Sequence, residues 1–442
     1  MSGWSVVGTG ERVVLRDALL PGGRRVDVHI VDGRIADVVP TGTAPAPPPE
    51  PPVTGDTSED FGRGDTSDPW HGAVVHDLAG WLLLPAMAEP HAHLDKALTA
   101  ELVPNPSGDL LGAIEAWTTA SAGGVLTPEG VEARTVAALE LLLVRGVTAV
   151  RSHVNVTGVA GVTNLLAVRR AADRLAGLID VELVALTDVP TTGPDGAATR
   201  RALDQAVEHG VDVVGGCPHL DPDPAALIAH ALAVAEQAGL AVDLHVDEQL
   251  DPAVMTLREL ARQVVAGEVA VSVTASHCVS LGMQTPSEQA RIAEEVAAAG
   301  VAVVTLPQTN LFLQGRDHPT ATPRGLTAIA ALLEAGASVA AGGDNVQDPF
   351  NLVGRSDPLE TAALMVMAGH RLPDEAYHLV SNGPRAIMGL EPVRIEPGDP
   401  ADLVAIAAPS IRAAVADAPM ARRVFRQGRL VASCDEQRTI HR

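Results

Sequence analysis

Eight short apolar runs, each followed by a longer stretch of helical period, pace the middle of this chain and leave few folds open to it. The runs fall at 82–88, 147–154, 179–186, 211–216, 240–246, 269–276, 301–306 and 337–342. Between them, residues 129–145, 161–177, 198–209, 223–238, 286–299 and 324–335 repeat apolar side chains at helical spacing. Eight strand–helix units over about 300 residues predict an α/β protein built on a (β/α)8 TIM barrel. The rival is a doubly wound open sheet, but no GxGxxG follows any early strand.

The two chain ends read differently. Residues 12–40 alternate apolar and polar side chains, and RRVDVHIVDGRIADVV places Asp32-Gly33 between two such stretches, a hairpin signal. After residue 392 the helical patterns stop, and IEPGDPADLVAIA and ARRVFRQGRLVAS again read as short strands. Residues 1–81 and 392–442 are therefore expected to build one small β-sandwich domain beside a barrel of residues 82–391. Residues 41–72 are rich in Pro, Gly, Ser, Thr and acid, cannot bury enough surface to fold, and are expected to be a disordered insertion.

Composition removes whole classes of function. With 31 basic and 55 acidic residues the net charge is −24, a field that repels nucleic acid and anionic membranes. Three separated cysteines, Cys217, Cys278 and Cys434, show no CxxC spacing and read as reduced thiols. No stretch is apolar enough for a transmembrane helix, and the start lacks a signal-like region, so a cytoplasmic protein is expected. The basic residues include a single lysine, Lys96, so no other residue of its type can stand in for it.

Metal-ligand side chains gather where barrel strands end, which is where barrel active sites lie. In EPHAHLDK, His91 and His93 are two apart on a strand and project to one face, able to share a metal. His245 (VDLHVDE), His277 (TASHC) and Asp344 (GGDN) stand at the ends of the fifth, sixth and eighth strands. Glu248, just past His245, is placed to move protons over the barrel mouth, and Asp247 competes with it for that role. The fourth strand ends in GGCPHL without a lysine. In that segment Cys217 reads as a packed, inert thiol, and His219 as either a packed or a substrate-facing side chain.

The ordered set EPHAHLDK, RSHVNV, HVDE, VTASH, LQGR and GGDNVQDPF resembles the cytosine deaminase branch of the amidohydrolase superfamily across residues 80–430. The resemblance implies that His91, His93, His245 and Asp344 bind one divalent metal ion, zinc or iron. It also implies that Glu248 shuttles protons, that His277 orients water or substrate, and that His153 lies near the site. Where that branch carries a glutamine that reads the ring amide, this chain has Asp188, an acceptor when ionised. The branch's second aspartate is here Asn345 and its tryptophan Phe350. Lys96, Asn310 and Gln314 are further candidate substrate contacts.

The expected activity is metal-dependent hydrolytic deamination of a small, cytosine-like nitrogen heterocycle, with release of ammonia. Opening of a cyclic amide, or removal of an N-alkyl amine from a triazine-like ring, is the alternative within the hydrolases. A catalytically inactive heterocycle-binding relative is the alternative from another class. The expected partner is a small molecule, not nucleic acid or membrane, and a homo-oligomer is compatible with the sequence.

Overall fold

The computed structural model describes residues 11–43, 70, 72–157 and 160–441. The insertion expected at 41–72 therefore lies outside the described residues, apart from 41–43, 70 and 72. Residues Met87–Leu390 form one compact unit, and residues up to Ala86 join those from Glu391 onward in a second.

The first unit is the barrel. Its parallel strands are Met87–Ala92, Val147–Val156, Asp180–Thr187, Val213–Gly216, Ala241–Val246, Val273–His277, Ala302–Thr305 and Val339–Ala341. They lie side by side in chain order, and a bridge between Ala92 and Asp344 brings the eighth strand's end back to the first. These strands are Val- and Ala-rich along their whole length because both faces are covered, as in parallel sheets generally. The intervening helices open on a repeated device. Thr127-Pro128, Asp223-Pro224, Thr285-Pro286 and Asp357-Pro358 each pair a side chain that caps a free helix N–H with a proline that has none to satisfy.

One predicted run divides. Leu82–Pro85 pairs antiparallel with Leu403–Ile406 in the second unit, and the first barrel strand begins only at Met87. The partner changes within two residues: the Ala86 N–H donates to Asp402, the Met87 N–H to Gly146. Hydrophobic periodicity carries no trace of such a switch, since both halves are buried. A helix at Thr256–Ala266, between the fifth and sixth strands, is additional to the predicted set.

The second unit is a mixed sheet drawn from both chain ends. Its path runs Arg429–Cys434, Arg422–Arg426, Leu403–Ile406, Leu82–Pro85, Arg12–Leu19, Arg25–Val31 and Arg34–Pro40, with Val74–Asp77 paired to Arg12–Leu19. The predicted hairpin is present, and Asp32 (φ 50°) and Gly33 (φ 78°) both adopt the left-handed conformation that a two-residue turn of this twist requires. Val13, Leu15, Val28, Ile30, Leu403 and Phe425 pack in its core. The C-terminal segment does contain one helix, Ile411–Asp417, started by Ser410 Oγ accepting from the Ala413 N–H at 3.2 Å. Two turns are too short for a helical period to stand out in sequence. No helix among the described residues is long and apolar enough to cross a membrane.

Candidate active site

Strand ends deliver the side chains singled out in the sequence to one point. His91 closes the first strand, with His93 two residues on, and His245, His277 and Asp344 sit at the ends of the fifth, sixth and eighth. His277 (φ 71°) and Asp344 (φ 64°) hold left-handed backbones, a conformation rare outside glycine and concentrated at functional sites. Nε2 of His245 lies 3.2 Å from Nε2 of both His91 and His93. Asp344 Oδ1 lies 3.3 Å from His93 Nε2 and 3.7 Å from His91 Nε2.

The electrostatics of this cluster suit a cation. Burial, reinforced by neighbouring groups, holds the imidazoles of His91, His93 and His245 well below their ordinary pKa, so each is neutral with a lone pair to give. Among the described residues no donor lies within 3.5 Å of either carboxylate oxygen of Asp344 in hydrogen-bonding geometry, and all four residues are buried. A buried carboxylate without a partner is costly unless a charge meets it. Three neutral nitrogens and one carboxylate facing a common centre fit a divalent cation. His153 comes close as well: its ring stacks on His91 at 3.8 Å, and one of its nitrogens lies within 4.8 Å of one nitrogen each of His91 and His245.

Two carboxylates follow His245, and the structure separates them. Asp247 accepts from the main-chain N–H groups of Thr256 at 2.9 Å and Leu257 at 3.0 Å, so its oxygens anchor the helix Thr256–Ala266. Glu248 instead lines the pocket, its Oε1 3.6 Å from His277 Nδ1. Burial, with the charge of Asp344 added, raises its carboxyl well above the usual range, against the pull of Lys96. His277 Nδ1 donates to Asn310 Oδ1 at 3.1 Å, leaving a buried Nε2 with no hydrogen-bond partner among the described residues, 4.0 Å from Asp344 Oδ2. Burial pushes this imidazole down to about 4 despite Asp344, so it too is neutral near pH 7.

Above the cradle opens a pocket of about 730 Å³, counting the space open to solvent. Lys96, Asp188, Asn345 and Phe350 line it, together with Trp117 and Asn155. Lys96 is 3% exposed, donates to Asn155 Oδ1, and sits 3.1 Å from His93 Nδ1 and 3.6 Å from Asp95. Its ammonium also lies 5.4 Å from the Trp117 ring and 5.9 Å from Phe350, within range of attraction to ring faces. Burial raises the Asp188 carboxyl, while Lys96 and the Asn155 side chain oppose that rise. Asn345 donates to Asp348 Oδ2 at 2.7 Å.

Three further candidates support other site residues and do not line this cavity. His153 packs beneath His91, Asn310 holds His277, and Gln314 Nε2 donates to the main-chain carbonyl of Glu248 at 3.0 Å. His219 Nδ1 binds the carbonyl of His245 at 3.1 Å, and burial pushes its imidazole to about 4. Burial and Glu248 push the Cys217 thiol up to about 12, so it stays protonated and unreactive. Sequence reasoning passed over Asn155 and Trp117. Asn155 stands two residues after His153 on one strand face, a spacing that was available as a signal.

The sequence profile of the amidohydrolase family matches residues 110–432. A pterin deaminase from Rhizobium rhizogenes is 30% identical over 421 residues, 92% of this chain and 88% of the relative. The crystal structure of 5-methylcytosine deaminase from Klebsiella pneumoniae with phosphonocytosine matches with a TM-score of 0.82 at 26% identity, over 97% of this chain and 100% of that one. That of N-isopropylammelide isopropylaminohydrolase from Burkholderia multivorans matches with a TM-score of 0.77 at 26% identity, over 96% and 98%. With a histidine–aspartate cradle at the C-terminal mouth of its barrel, this chain belongs to the amidohydrolase family, hydrolases of carbon–nitrogen bonds.

Proposed function

We propose that the protein is a hydrolytic deaminase of a small nitrogen heterocycle, exchanging an exocyclic amine for oxygen from water and releasing ammonia. The observation that carries this reading is the contrast between Asp247, spent on a helix, and Glu248, buried and open to the cavity beside the cradle. His91, His93, His245 and Asp344 would hold one zinc or iron ion, both suited to imidazole and carboxylate ligands. Such an ion supplies Lewis acidity, lowering the pKa of water toward about 7.

The chain's own groups do the rest. Glu248 takes a proton from water and delivers it to the ring nitrogen, which makes the adjacent carbon electrophilic. The hydroxyl oxygen adds at that carbon, its remaining proton passes by way of Glu248 to the exocyclic nitrogen, and the carbon–nitrogen bond breaks as a ring carbonyl forms and ammonia leaves. His277 Nε2, neutral and unpartnered, accepts a hydrogen bond from the attacking water and aims it. Trp117 and Phe350 offer faces for a flat ring, and Asp188 accepts from ring N–H groups. Both the pterin deaminase and the 5-methylcytosine deaminase to which the chain is similar act on rings of this kind.

Apolar Leu110, Ile114, Val189 and Leu220 on the same cavity favour a second reading, loss of an N-alkyl amine from a triazine-like ring. Zinc- or iron-loaded protein assayed on aminopyrimidines, aminopteridines and aminotriazines tests both. Ammonia release supports the first reading, and isopropylamine from N-isopropylammelide the second. Metal-loaded protein that releases neither from any ring would sink the proposal.

A further inference from the structure

Beneath the cradle, the barrel interior carries charges where apolar side chains would fill space at lower cost. Arg151, Glu182 and Asp243 come from the second, third and fifth strands and are all at most 8% exposed. Arg151 Nε donates to Glu182 Oε2 at 2.9 Å, and its Nη1 to Asp243 Oδ2 at 3.1 Å. Removing three charges from water is expensive, and a packed apolar core of the same volume is often at least as stable. The arrangement therefore calls for a purpose beyond packing.

The polarity of its hydrogen bonds supplies one. Asp243 Oδ1 accepts from Ser276 Oγ at 2.8 Å. With Oδ2 occupied by Arg151 and Oδ1 accepting, the single hydroxyl proton of Ser276 is committed to Asp243. Toward His91 Nδ1, 2.9 Å away, Ser276 Oγ can then only accept. Nδ1 must carry the imidazole proton, which leaves the lone pair on Nε2, the nitrogen that faces His245 and Asp344. His153 Nε2, 3.7 Å from Asp243 Oδ2, is the other titratable group against this carboxylate.

We propose that Arg151, Asp243 and Ser276 form a positioning relay that fixes the tautomer of His91 and thereby sets how tightly the cradle holds its cation. Arg151 orients Asp243, Asp243 orients the Ser276 hydroxyl, and Ser276 selects the His91 proton position. None of the three touches substrate. Outer partners of this type typically change metal affinity by about 10- to 100-fold.

The full-length, metal-free protein labelled with 15N-histidine tests the relay directly. Its His91 resonances, assigned by their loss in His91→Gln, should report a protonated Nδ1 and a bare Nε2; a protonated Nε2 would overturn the proposal whatever the variants do. Zinc affinity, measured by chelator competition, should fall about 10- to 100-fold in Ser276→Ala and return in Ser276→Thr, which keeps the hydroxyl. Asp243→Asn should match Ser276→Ala, because an amide donating to Ser276 turns the hydroxyl proton onto His91. Zinc affinity of Ser276→Ala within about threefold of the parent, well short of an outer-partner effect, would also overturn it.

Discussion

Gln314 Nε2 donates to the main-chain carbonyl of Glu248 at 3.0 Å, tying the segment after Pro307–Leu313 to the loop that follows the fifth strand. This bond holds the backbone of the proposed shuttle without touching its carboxyl. Gln314→Leu should leave metal content and KM near those of the parent and lower kcat by about tenfold, as expected when a reacting group is loosened by a fraction of an ångström. Steady-state kinetics on the best substrate checks this. A change confined to KM would place Gln314 against the substrate instead.

Glu248→Gln keeps size and shape but cannot exchange protons. Zinc or iron content should persist while kcat falls by about 10²- to 10⁴-fold. Asp247→Asn is the companion: its oxygens receive two helix N–H groups, so its cost should fall on thermal stability before it falls on proton transfer. Metal analysis, ammonia release and thermal unfolding of both variants distinguish the roles. Full turnover by Glu248→Gln would move the proton route elsewhere.

The barrel was legible because short apolar runs alternate with stretches of helical period along the chain. The cradle was legible because strand ends are predictable and His91, His93, His245, His277 and Asp344 each sit at or just beyond one. The first strand's limit was not, since residues 82–88 form one continuous apolar run that changes partner at Ala86. Ser276 stayed hidden for a related reason. It acts on His91, on another strand 185 positions away, and no local spacing encodes that meeting.

The Asp188 carboxylate, lining the cavity and flanked by Asn155 and Lys96, is the group best placed to discriminate among rings. An acceptor there favours a ring edge that presents N–H groups and disfavours one that presents a carbonyl. Asp188→Gln, which both donates and accepts, should shift the ratio of kcat/KM toward rings with an amide edge, cytosine among them, by at least about tenfold. An unchanged ranking across the substrate panel would remove Asp188 from the recognition surface.

Asp348 makes stability depend on pH. Its carboxyl accepts from the N–H groups of Phe350 at 2.8 Å and Asn351 at 3.2 Å, yet burial outweighs them and raises it to about 7. A carboxyl raised on folding binds its proton more tightly in the folded chain than in the unfolded one, whose value is about 3.9. Its contribution to stability is therefore fully present below about pH 4 and is lost as pH rises through about 7. A rise of this size corresponds to on the order of 4 kcal/mol across that window. Asp348→Asn keeps one oxygen for the two N–H groups and removes the titration, so the fall in unfolding free energy between pH 4 and 7 should flatten in urea melts of the metal-free protein. A variant that keeps the parent's slope would assign the pH dependence to other buried carboxyls.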